Sequence, residues 1–171
     1  MRKTSRFTSA HGPAFRFMQA MPILPDNLCL IRSGQDYRHC GPEELAVYQD
    51  TVRPTLMAGM NYLQGNPDDK NYLSCRLMYE LALDSSYAAQ SFGLAIFASL
   101  HDLEAWAKSN PTHSRIFQSF FRMVAQRNGQ LDLRLWYEVM ILDRQNSLCE
   151  YVNCHPNTGM LPWFGRHGQV G

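Results

Sequence analysis

The chain has 171 residues, of which 45% are apolar and 18% charged, with a net charge of +1 at pH 7. That is enough chain for one hydrophobic core, and sixteen Lys and Arg balanced by fifteen Asp and Glu exclude the broad basic field of a nucleic-acid binder. No apolar run reaches the length of a membrane span and the N-terminus lacks the apolar centre of a secretory signal, so a soluble, cytoplasmic protein is expected, with no membrane partner.

Residues 1–26 hold Pro13, Pro22 and Pro25 and cluster Arg2, Lys3, Arg6 and Arg16, which reads as a poorly specified lead-in. Residues 28–33 (Leu-Cys-Leu-Ile-Arg-Ser) suit a buried strand ending at Gly34. An acidic start at Pro42, Glu43 and Glu44 opens a helix whose stripe is Leu45, Val52, Leu56, Met60 and Leu63. Gly65 stops it, and Pro54 is expected to kink it. Residues 72–83 and 88–98 form a hairpin around the polar turn Asp84, Ser85 and Ser86.

Ser99 caps a short helix with Leu100, Leu103, Trp106 and Ala107 on its buried side. Asn110 and Pro111 launch the next helix, on which His113, Ile116, Phe117, Phe120 and Val124 share one face while Arg115, Gln118, Arg122 and Gln126 take the other. Gly129 closes it. Leu131, Leu133, Leu135, Tyr137, Val139 and Ile141 then alternate with polar or bulky residues as a strand over 131–141, and residues 143–147 turn it back into 148–153.

The order β, α, β, β, α, α, β, β predicts an α+β chain, a ferredoxin-like antiparallel sheet of the dimeric α+β barrel type with helices on one face. The domain is placed at residues 27–161, with residues 162–171 as a tail. A row of Leu133, Leu135 and Tyr137 needs covering by a partner domain, a cofactor or a second copy, so a homo-oligomer is expected.

His113 has two readings. The stripe it heads is either a core face whose histidine is satisfied by a neighbour, or the wall of a haem site. A helix N-terminus disfavours imidazolium and keeps a lone pair for iron, and the flat macrocycle needs Phe and Ile beside it. Five cysteines with no CxxC pair, and Cys149, Cys154 and His155 without a matching second pair, point to free thiols rather than zinc. His155, before Pro156, reads as a turn residue.

Several stretches together resemble the haem-containing aldoxime dehydratases. They are residues 27–36 (Asn-Leu-Cys-Leu-Ile-Arg-Ser-Gly-Gln-Asp), 91–94 (Ser-Phe-Gly-Leu), 103–107 (Leu-Glu-Ala-Trp-Ala), Pro111, Thr112 and His113 with Ile116 and Phe117, 133–135 (Leu-Arg-Leu), and 150–156 (Glu-Tyr-Val-Asn-Cys-His-Pro) with Thr158 and Gly159. The resemblance implies two fused ferredoxin-like halves clasping a b-type haem that, as ferrous iron, binds the substrate nitrogen and turns R-CH=N-OH into a nitrile and water. It implies His113 as the proximal iron ligand, Ser33 as hydrogen-bond donor to the substrate hydroxyl, and Phe117, Phe120 and Leu135 as cofactor and pocket walls.

Two departures stand out. The family's distal histidine, the proton donor, falls where this chain has Tyr137, whose reference pKa near 10 makes it the poorer acid at neutral pH. The chain also matches only the C-terminal half of the family architecture, with Arg2 the nearest counterpart for a distal arginine. The expected function is therefore a truncated or weakly active aldoxime dehydratase. The alternative is a non-catalytic haem-binding or dimerisation module, in which Ser33 simply ends a strand and Tyr137 is a core aromatic.

Overall fold

A computed structural model describes residues 19–65 and 71–167. Its centre is a four-stranded antiparallel sheet of β2 (Asn27–Asp36), β3 (Tyr72–Leu81), β4 (Tyr87–Phe97) and β5 (Arg134–Asp143), in the order β3-β4-β2-β5. Helical crossovers join β2 to β3 and β4 to β5, which gives the ferredoxin-like topology. A separate two-stranded ribbon pairs β1 (Gln19–Ala20) with β6 (Tyr151–Val152). Arg2 lies outside the described residues.

The β3–β4 turn forms where expected, with Asp84 Oδ1 accepting the Ser86 N–H at 3.0 Å and Ser85 at φ 66°. The first crossover begins as α1 (Pro42–Val47), passes through one π-helical turn at Tyr48–Val52, and continues as α2 (Arg53–Gly65). The irregularity lies just before Pro54, which has no N–H to give and whose ring would press on a preceding carbonyl in a regular helix. The second crossover is α3 (Leu100–Ser109), capped by Ser99 accepting the Asp102 N–H, then α4 (Pro111–Gln126).

Alternation along β2 sends Cys29, Ile31, Ser33 and Gln35 to the side of α2 and α3, and Leu28, Leu30, Arg32 and Gly34 to the other. On the helix side Cys29, Cys75 and Phe97 pack against Met60, Leu63 and Trp106. The opposite side is also partly covered: α5 (Leu161–His167) sets Trp163 and Phe164 against Leu28, Leu73 and Leu24. Further along that side Trp136 lies flat over Gly34, where a Cβ would come within 2.1 Å of the indole.

The strand predicted over 131–141 runs instead over Arg134–Asp143. The reason is Glu44, a carboxylate only 1% exposed. It accepts the Asp132 N–H at 3.0 and 3.2 Å and the Leu133 N–H at 2.8 Å, so these amides are satisfied outside the sheet. Arg127 Nε stands 3.7 Å from the same carboxylate. Beside it the Cys40 thiol is pushed up to about 11, by burial first and by Glu44 second. Leu133 drops into a core of Tyr48, Val52 and Met123 and is no part of an exposed row. Replacing Glu44 with Ala should orphan two backbone donors and lower stability by about 2–4 kcal/mol, read as a fall in the urea midpoint at constant slope.

Candidate functional site

His113 owes its position to the junction of two helices. Asn110 ends α3 by donating its N–H to the Trp106 carbonyl at 2.9 Å, and caps α4 by accepting the Thr112 N–H at 2.9 Å on Oδ1. With Pro111 at the first helical position, His113 falls in the first turn, under the last turn of α3. Its Nδ1 lies 2.8 Å from the Ala107 carbonyl. A carbonyl can only accept, so Nδ1 carries the proton and Nε2 keeps its lone pair. Burial lowers the imidazole pKa against a smaller upward pull from that carbonyl, and the net lowering favours the neutral ring.

The histidine is satisfied by a neighbour, and of the stripe Ile116, Phe120 and Val124 are half-buried while Phe117 stays exposed. α4 packs on α2 through small and polar residues: Thr55 and Ser119 share a hydrogen bond at 2.7 Å, and a Cβ on Gly59 would lie 2.9 Å from Ile116. The contact line is thus Ile116, Ser119 and Met123, one step round the helix from the aromatic line. His113, Phe117 and Phe121 form a ladder with ring centroids 5.0 and 6.2 Å apart, and Phe117 and Phe121 are 51% and 59% exposed. Phe120, expected on this wall, packs instead with Tyr48 and Met123. Phe121 extends the ladder, at i+4 from Phe117 and i+8 from His113, a spacing that the same helical pattern reaches although the predicted stripe names only Phe120 there.

The facing wall is β5. Ser33 pairs with Tyr137 on one side and Gly93 on the other, so all three point to the helix side of the sheet. A Cβ at Gly93 would lie 3.2 Å from Ser33 Oγ and 2.7 Å from Met60 Cε, so the glycine leaves the hydroxyl its room. The Ser33 carbonyl accepts from Gln35 Nε2 at 3.2 Å, and Gln35 Oε1 accepts from the Ser91 hydroxyl at 2.9 Å, a buried amide holding the strand beside the serine. Leu135, Tyr137, Val139 and Ile141 continue the row and stay exposed, Tyr137 at 75%.

α4 is tied at one end to the sheet and at the other to the segment that enters β5. Trp106 meets both Phe97 and His113 at one end, and Met123 meets Leu133 at the other. Between these ties the aromatic ladder and the β5 row are both left exposed on the helix side of the sheet, and the slot they border would suit a flat apolar group. Among the described residues no three His, Cys, Asp or Glu side chains converge on a point. His155 Nδ1 accepts the Asn157 N–H at 3.1 Å within its turn. Among the described residues no helix is long and apolar enough to cross a membrane.

A family model described as haem-containing dehydratase matches residues 3–160. An aliphatic aldoxime dehydratase of Rhodococcus erythropolis is 43% identical over 136 residues, covering 80% of this chain and 38% of that protein. A phenylacetaldoxime dehydratase of Bacillus sp. (strain OxB-1) is 36% identical over 140 residues, covering 82% of this chain and 40% of that protein. A solved aldoxime dehydratase in complex with butyraldoxime superposes with a TM-score of 0.73 at 42% identity, over 80% of this chain and 37% of the other. The chain spans about two fifths of the length of these relatives.

Proposed function

Since the chain belongs to the haem-containing dehydratase family, we propose that it holds haem b through His113 and converts aldoximes, R-CH=N-OH, into nitriles and water. The observation that carries this reading is His113, its Nδ1 held by the Ala107 carbonyl, at the head of the exposed ring ladder of Phe117 and Phe121. Phe117, Phe121 and Leu135 would flank the macrocycle. When bound, ferrous haem would supply an iron Lewis acid for the oxime nitrogen. Ser33 Oγ donates a hydrogen bond to the oxime hydroxyl and orients it. Tyr137, beside Ser33 in the β5 register, gives the proton with which the hydroxyl departs as water, and its phenolate takes back the proton that leaves the oxime carbon as the nitrile forms. The cytoplasm is the proposed location, in keeping with five free cysteines. No comparison favours a non-catalytic module.

The test is reconstitution of the full chain with haem, reduction, and assay of nitrile from phenylacetaldoxime and butyraldoxime. A Soret band lost or shifted to that of loosely held haem in His113→Ala supports the ligand, and an unchanged spectrum refutes it.

Positioned general-acid help is worth on the order of a hundred- to ten-thousandfold, and a phenol supplies less of it than imidazole at neutral pH. Tyr137→His should therefore raise the nitrile-forming rate of the haem-loaded chain by at least about tenfold; equal rates would show that proton delivery at this position does not limit the reaction.

The haem-free chain exposes both walls of the slot, so it should self-associate at micromolar concentration and do so less once loaded. Sedimentation velocity on the two forms decides it, and a clean haem-free monomer would count against a homo-oligomer.

A further inference from the structure

We propose that Trp106 and the Ala107 carbonyl, neighbours in the last turn of α3, form a clamp that fixes the rotation and the tautomer of His113. The inference rests on His113 being the axial ligand proposed above. The Trp106 and His113 ring centroids are 4.7 Å apart at 55°, and the Phe117 ring also meets the imidazole, at 5.0 Å and 65°. Trp106 is itself held against Phe97, with centroids 5.9 Å apart in the core between α3 and the sheet. Its Nε1–H is buried without a hydrogen-bond partner among the described residues. An indole retained at that cost is used for its breadth, since one ring spans from Phe97 to His113. The imidazole thus has a face fixed by Trp106 and an axis fixed by its hydrogen bond to Ala107.

The acceptor matters as much as the ring. A carboxylate partner would draw the Nδ1 proton away and give the bound imidazole anionic character, which favours ferric iron. A neutral carbonyl keeps it a plain imidazole and so favours the ferrous state that the proposed reaction uses. Trp106 and Ala107 are therefore positioning residues, acting on the iron only through His113.

The experiment uses the full chain. In the haem-free protein, long-range ¹H–¹⁵N correlation of His113 should show the Nδ1–H tautomer. In the haem-loaded ferrous protein, Trp106→Leu should shift or broaden the iron–histidine stretching band in resonance Raman and weaken haem binding by about 10- to 100-fold, with Trp106→Phe restoring most of both. An Nε2–H tautomer in the haem-free protein, or a Trp106→Leu protein with unchanged band and affinity, would overturn the clamp. Should Trp106→Leu fail to fold, the tautomer measurement decides alone. A wild-type chain that binds no haem through His113 would refute the functional reading instead, and the tautomer still judges the clamp.

Discussion

A single buried carboxylate sets the geometry on which everything else depends. Glu44 sits in the first turn of α1, yet its oxygens are occupied by the amides of residues 132 and 133, eighty-eight and eighty-nine positions away. Three hydrogen bonds from these two amides to a buried carboxylate hold the chain where it enters β5. They decide where the sheet may begin, and so which residue of β5 meets Ser33. A slip of one residue there would turn Tyr137 to the opposite side of the sheet and bring Trp136 or Glu138 into the slot. The site is built on a strand whose phase is fixed from the other end of the fold.

What could be read from the sequence follows from which forces are local. Ser99 and Asn110 as caps, Pro111 at a first helical position and the Asp84 turn are decided by neighbouring residues, and each forms as expected. The split βαβ order also follows from periodicity alone. The start of β5 did not, because the partner that takes the amides of residues 132 and 133 is remote in sequence and acidic where a helix start accounts for it already. On α4 the polar face of Arg115, Gln118, Arg122 and Gln126 is exposed as expected, but the line of closest helix contact, Ile116, Ser119 and Met123, is set by remote partners for a related reason. Aromatic residues look like core, whereas close approach of two helices selects Thr55, Gly59 and Ser119, and the rings are left to line the slot.

The two surfaces of the central sheet divide the work. One carries Ser33, Gly93 and Tyr137 under a canopy of helices that stops short of β5. The other is closed in part by α5 and, where α5 ends, by Trp136 pressed on Gly34. Adjacent residues Ser33 and Gly34 therefore answer to opposite environments, a hydroxyl given space on one side and a backbone given up to an indole on the other.

The π-helical turn at Tyr48–Val52 means that the first crossover carries one residue more than a regular helix of the same rise would need. Tyr48 and Val52, at its edges, are buried, while Gln49, Asp50 and Thr51 between them face solvent. The surplus is thus stored on the outside, upstream of Pro54 and between two anchored segments: Glu44 with its amides on one side, Gly59 and Met60 with α4 and the sheet on the other. An insertion or deletion of one residue in this lineage would be absorbed here by winding or unwinding a single turn, and neither the strand phase set by Glu44 nor the seat of α4 would register the change.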